Sequence, residues 1–345
     1  MSAVAGPKIL TSNAPGEFRA VLLSADGRPA HLFYQRWKGT RERARYGDVL
    51  SARIRKFSDE LRGAFLELES GEEAFLRLKS RDGLTEGASI GVIIRSEARQ
   101  DKLARASLTD AFVSEGESFQ RWQTQIREAR DISFMDSPEQ VDAIFEDATE
   151  RSVTLPGGGR LHIDRTRALT AFDIDTSGRT GKGSAGARAL SINREAAAEM
   201  VRQTSLRGLG GNLVLDCVGS SNPSAGDQIR DAAYNAFAAY HVSEAKVLKP
   251  SSLGLLEASA PWRFMPLEDY LLADPAETEL LRLLKDAQRE ATTNPANLYE
   301  LSIGPAPWRA YQSRKTEADL ALNEHFGMRL TLSESATTQS RISKR

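Results

Sequence analysis

Cysteine is almost absent from this chain of 345 residues; Cys217 stands alone. One thiol excludes an intrachain disulfide and a Cys-based zinc site within a single chain, so no zinc is expected. The four histidines, His31, His162, His241 and His325, are scattered without ligand spacing. No apolar run approaches membrane-spanning length, and the opening MSAVAGPKILTSNAPGEF lacks the basic and apolar regions of a secretory signal. The expectation is therefore a cytoplasmic protein with no membrane partner. Excess charge of either sign is missing too, since 46 Lys and Arg against 47 Asp and Glu leave a net charge of −1. That excludes a general nucleic-acid coat, and any RNA-binding surface has to be a local basic patch balanced by acids elsewhere. What is present is the composition of an ordinary globular protein, long enough for two or three domains.

The most informative stretch runs from Arg151 to Ser220. Two apolar runs, ALTAF and NLVL, each end in a carboxylate: Asp173, with Asp175 just after, and Asp216. A Gly-rich loop and a segment with helical periodicity lie between them, which is the pattern of a βαβ unit. Parallel strands joined by a helix commonly lie side by side and end at one sheet edge, where ligands of open α/β sheets usually bind. Asp173 and Asp175, two apart, share a face, with Phe172 and Ile174 on the other. Acids converging on one edge repel unless neutralised, and a hard cation such as Mg²⁺ takes one or two carboxylates plus waters and phosphate oxygens. The alternative is that these acids cap loops or pair with Arg179 or Arg207.

The text LPGGGRLHIDRTRALTAFDIDTSG, followed by INREAAAEMVRQTSLRGLGGNLVLD, resembles the catalytic domain of the ribonuclease E and G family. The resemblance implies a DNase I-like α/β catalytic domain over residues 151–262, a Mg²⁺ ion held by Asp173 and Asp216, and cleavage of single-stranded RNA. Asp175 stands where such relatives usually carry an Asn that orients the attacking water. Arg207 follows the helix at a position that the resemblance puts near the metal. In the loop GRTGKGSAG, Arg179 and Lys182 could approach a phosphate backbone, although Gly183 after the Gly-Lys pair rules out a Walker A loop; a mobile surface loop is the other reading.

Upstream, residues 1–16 read as a flexible lead-in, and EFRAVLLSADGRPAHLFYQR as two strands around a turn. Several short strands then fill Gly47 to Leu108, which suggests an OB-type barrel. Alternation in AFLELE and AFLRL puts Leu66, Leu68 and Leu76 inside, leaving Phe65 and Phe75 on the polar face as stacking platforms or as a cover for the barrel end. Residues 17–108 resemble the family's N-terminal strands and S1-type barrel, where two such phenylalanines and a following lysine, here Lys102, grip RNA. Residues 109–150 read as a reduced, mostly helical connector in place of the relatives' RNase H-like region, with Ser137 as N-cap and Pro138 in the first turn. No 5′-end sensor motif is found in the chain.

Downstream, Ser251-Ser252-Leu253-Gly254-Leu255-Leu256-Glu257 keeps the frame of a basic family signature without its arginines. The zinc-linking cysteines of the relatives are missing, so a homodimer would have to use another surface. Residues 263–335 resemble the small C-terminal α/β domain, and 336–345 read as a disordered tail. The whole is expected to be an α+β multidomain protein: a Mg-dependent endoribonuclease acting on single-stranded RNA, or an RNA-binding relative that has lost hydrolysis.

Overall fold

A computed structural model of the protein describes residues 7–37, 43–81, 83–100, 102–111, 113–114, 116–126, 132–180, 183–219 and 223–344. The chain opens with three antiparallel strands, β1 (Lys8–Ala14), β2 (Glu17–Leu23) and β3 (Pro29–Arg36). β1 pairs with β2 residue for residue, from Lys8 opposite Leu23 to Ala14 opposite Glu17. The expected flexible lead-in is thus corrected over Lys8–Ala14, where Ile9, Leu10 and Ala14 are buried.

Five short strands follow: β4 (Val49–Ser58), β5 (Gly63–Leu68), β6 (Glu73–Arg77), β7 (Ser89–Ser96) and β8 (Ala104–Leu108). They close into a barrel in the order β4-β5-β6-β8-β7, consistent with an OB-type fold. Ala64, Leu66, Leu68, Ala74 and Leu76 fill its core, as their alternation requires. Helix α1 (Ser118–Gln125), strand β9 (Ser133–Asp136) and helix α2 (Pro138–Asp147) come next. Ser137 stands at the N-cap of α2 with Pro138 in its first turn. β9 runs parallel to β1 and extends the first sheet to β3-β2-β1-β9, so the connector completes the N-terminal sheet. Val141 and Phe145 of α2 pack on Leu10, Val21 and Tyr34.

The central region comprises β10 (Ser152–Thr154), β11 (Arg160–Arg165), β12 (Leu169–Asp175), α3 (Ala185–Leu206), β13 (Gly211–Asp216), α4 (Pro223–Ala239), β14 (Lys246–Val247) and β15 (Leu255–Ala260). Its six strands are ordered β10-β11-β12-β13-β15-β14, and β12 with β13 is the parallel pair. α3 begins at Ala185, and Ser184 caps it by accepting a bond from the Ala187 N–H at 3.3 Å. Ile192, Met200 and Val201 of α3 and Ile229, Ala233 and Phe237 of α4 pack on Leu161, Phe172, Ile174, Leu213 and Leu215. Helices therefore cover one face of the sheet. The other face carries its exposed polar residues.

The last part holds α5 (Leu267–Ala273), α6 (Pro275–Thr293), β16 (Tyr299–Ile303), α7 (Pro305–Ser313), α8 (Lys315–Phe326), β17 (Leu330–Glu334) and β18 (Arg341–Lys344). Its sheet is ordered β17-β16-β18. β18 corrects the expected disordered tail: Arg341 to Lys344 pair antiparallel with Ser302 to Tyr299. No described helix is long and apolar enough to cross a membrane.

Candidate functional site

The βαβ unit formed by β12, α3 and β13 sets the site. In the parallel register of β12 and β13, Asp173 stands directly opposite Asp216, and Phe172 opposite Leu215. Neighbouring strands lie about 4.8 Å apart, and paired positions project to the same face. Phe172 and Leu215 go down into the core under α3, so both aspartates stand on the open face, exposed. The backbone beyond Asp216 is fixed. Cys217 N–H donates to the Gly254 carbonyl at 3.0 Å. Buried Asn193 on α3 binds Val218 twice, donating to its carbonyl at 3.0 Å and accepting from its N–H at 2.9 Å. Asn193 thus ties the helix to the end of β13.

Among the described residues, no hydrogen bond or ion pair ends on the carboxylate of Asp173 or Asp216. Nor do three or more His, Cys, Asp or Glu side chains cluster there in a metal-holding arrangement. The protein therefore offers a donor set of two hard carboxylates with open positions. That set fits a cation that keeps waters and binds phosphate oxygens, and it does not fit a closed structural site.

The other expected residues divide. Asp175 is on the same face, opposite Arg160. Its carboxylate accepts from the Ser177 N–H at 2.8 Å, and hydrogen bonding by Ser177 holds it below the usual aspartate range, with His162 and Arg160 adding to the effect. It caps the turn after β12, which was the plainer of its two readings. Arg179 is committed to Glu195 at 2.7 Å, the Gly158 carbonyl at 3.1 Å and Ser191 Oγ at 3.0 Å. Lys182 lies outside the described residues. Arg207 caps the far end of α3, buried, with Nε donating to Gln203 at 2.7 Å and a guanidinium nitrogen to the Glu150 carbonyl at 2.7 Å. Burial and the charge of Arg202 push its pKa down to about 10. A parallel crossover returns the chain to the start of β13, so Arg207 sits a strand length, about 17 Å, from the Asp216 end.

On the barrel, Phe65 and Phe75 face each other across β5 and β6, ring centroids 5.4 Å apart, edge to face and half-buried outside the core. Lys102 is exposed just before β8, where Ala104 pairs with Ala74, the neighbour of Phe75. Sequence reading missed the flanks of this pair: Lys56 stands opposite Phe65 and Arg105 opposite Phe75, both exposed. Across four strands the row reads cation, ring, ring, cation. Sequence reading also missed His162, which lies directly opposite Asp173. Alternation around Leu161 and Ile163 was available as a signal, but only the register shows which carboxylate it meets.

The barrel docks at the other end of the sheet. The Glu97 N–H donates to the Arg263 carbonyl at 2.8 Å, and Arg99 lies 4.3 Å over the Trp262 ring. Trp262 closes on Gly211, where a Cβ would stand 3.0 Å from its Nε1; Gly211 opens β13 with φ +79°. Asp216 closes the same strand. No contact among the described residues brings the two rings to the two acids.

Residues 110–260, which contain the whole six-stranded sheet and both aspartates, match the family model described as Ribonuclease E/G family. Ribonuclease E of Haemophilus influenzae is 39% identical over 124 residues, 35% of this chain and 13% of that protein. Ribonuclease E of Escherichia coli is 44% identical over 79 residues, 23% of this chain and 7% of its own length. Ribonuclease G of Escherichia coli is 37% identical over 82 residues, 24% and 17% of the two chains. The matched segments therefore span less than a fifth of each of these three relatives. Over its central domain, the chain is thus similar to the ribonuclease E/G family.

Proposed function

We propose that the chain is a metal-assisted endoribonuclease that cuts single-stranded RNA at the Asp173–Asp216 edge. The observation that carries this reading is the cross-strand pairing of two exposed carboxylates that have no cationic partner among the described residues. Relatives named ribonuclease E and ribonuclease G support it. Asp173 and Asp216 would hold a divalent ion, with Mg²⁺ the choice their chemistry favours. When bound, that ion supplies Lewis-acid polarisation of the phosphate and a more acidic water. Asp175 accepts a hydrogen bond from the attacking water, or stays with Ser177 and holds the loop. Phe65 and Phe75 stack on bases, while Lys102, Lys56 and Arg105 meet the backbone between them. Arg179 and Lys182 are further candidates to meet the RNA backbone, whereas Arg207, buried at the far end of α3, holds that helix end in place. We assign the DNase I-like catalytic role to residues 151–262 and an assembly role to the C-terminal domain, with any dimer formed without zinc. A cytoplasmic setting suits this reading.

A second reading has its own support. In β15, the residues on the acid face are Leu255, opposite Asp216, Glu257, opposite Val214, and Ser259, opposite Asn212, and none is cationic. A chain lacking phosphate ligands there would bind RNA without cutting it. Incubating single-stranded, A/U-rich RNA with the protein in Mg²⁺ or in EDTA separates the readings. Mg²⁺-dependent fragments, lost in Asp173→Asn and Asp216→Asn, support the nuclease. Binding without scission supports the second reading and overturns the first.

A further inference from the structure

We infer that β11 supplies a phosphate-binding pair, Arg160 and His162, that holds the RNA backbone against the Asp173–Asp216 edge. The inference rests on the nuclease reading above and adds the group that makes an anionic substrate acceptable there. A phosphodiester approaching two carboxylates is repelled, and the charge that builds up during its cleavage needs fixed donors beside it. Of the two strands flanking the acid pair, β15 offers Leu255, Glu257 and Ser259 on that face. The other flank is β11, antiparallel to β12, with His162 opposite Asp173 and Arg160 opposite Asp175. Leu161 and Ile163 are buried in the core, which leaves Arg160 and His162 on the acids' face, Arg160 exposed and His162 half-exposed.

The two side chains converge. Arg160 Nε donates to Ser152 Oγ at 3.1 Å and a terminal nitrogen donates to it at 2.5 Å. Ser152 is the cross-strand partner of His162 on β10, so the guanidinium leans along the sheet toward the histidine's row. That anchor uses two of five N–H donors and leaves the rest of the fork for an anion. No ion pair within 4.0 Å ties Arg160 to Asp175 or to any other carboxylate among the described residues. An arginine so held can grip a phosphate through two parallel bonds, and an imidazole donates one N–H in its neutral form. Both also act electrostatically on Asp175, as expected of groups that share its surroundings.

The test uses the full chain carrying Asp216→Asn, which holds RNA intact, and a fluorescein-labelled A/U-rich single strand, read by anisotropy over a salt series. Adding Arg160→Gln and His162→Val together should weaken binding about 10- to 100-fold. Arg160→Gln alone should flatten the log–log salt slope by about 0.7, the share of one phosphate contact on a single strand. Arg309→Gln, the same charge change on α7, should alter neither. In the chain with Asp216 intact, the double change should lower kcat/KM and leave Mn²⁺ affinity untouched. Unchanged RNA affinity and slope in the double variant overturn the inference and leave the nuclease reading standing. A loss of Mn²⁺ affinity also overturns it, because it would make His162 a metal ligand. If the chain with Asp216 intact neither binds nor cuts RNA, the parent reading falls and the inference with it.

Discussion

Two groups of acids sit within one βαβ unit and meet opposite fates. Glu199, midway along α3, is 1% exposed and surrounded by cations and donors. Arg202 grips both of its oxygens at 3.0–3.1 Å, Gln203 donates at 2.8 Å, and Arg28 reaches it from the N-terminal sheet. Arg202 also donates to the Pro29 carbonyl at 2.9 Å, so the cluster fastens α3 to the start of β3. Asp173 and Asp216, on the strands that α3 connects, are exposed and have no such partner among the described residues. Glu199 is an acid whose charge is used up inside the protein. Asp173 and Asp216 have no such internal use for theirs, and we propose them as the site on that contrast more than on their spacing.

The contrast can be broken from either end. The largest effect should come from Asp173→Asn or Asp216→Asn, each lowering the RNA cleavage rate by at least about 10³-fold. Their unfolding free energy should stay within about 0.5 kcal/mol of the parent, as for surface changes that break no partner; cleavage gels and urea melts read the two quantities. Glu199→Ala should do the reverse. Removing one member of a buried ion cluster leaves Arg202 and Arg28 unpaired and costs about 3–5 kcal/mol, while the folded fraction cuts at the parent rate. Phe65→Ala or Phe75→Ala should weaken RNA binding by about 1–3 kcal/mol per lost stack, with cleavage at saturating RNA changed less.

Acid should also tell the two groups apart. Burial alone would push the Glu199 carboxyl up, but hydrogen bonds and charge from Arg202, with Gln203 and Arg28, outweigh it and hold the carboxyl below the usual 4.5. The unfolded chain therefore takes up this proton first. The stabilisation is complete above about pH 4.5 and is lost as pH falls through the lower, folded value. Thermal melts should show that fraction of the acid sensitivity disappear in Glu199→Gln and persist in Asp173→Asn.

Much of this was legible in the letters, for identifiable reasons. ALTAF and NLVL are short apolar runs buried under helices, and such runs declare themselves. The barrel's alternating leucines did the same for Phe65 and Phe75. The edges were harder. β1 contains Thr11, Ser12 and Asn13, and its partners β2 and β9 include one that lies more than a hundred residues away. β18, at the end of a polar tail, exists only because β16 has a free side to pair. α3 starts at Ala185 through a stretch whose exposed first turns carry no apolar period. His162 and Arg160 acquire meaning only from register, since one residue of slip would turn them into the core. Glu199 meets Arg202 and Gln203 along its own helix, but Arg28, and the Glu150 carbonyl that receives Arg207, come from distant segments that no local pattern announces.

The account stands on Asp173 and Asp216 acting as one divalent-ion site. Mn²⁺, standing in for Mg²⁺, can be titrated into the full chain and its free signal followed by electron paramagnetic resonance. Binding to the parent that is lost alike in Asp173→Asn, Asp216→Asn and the double variant is the result expected. Binding that persists in the double variant, or its absence from the parent, would contradict the account.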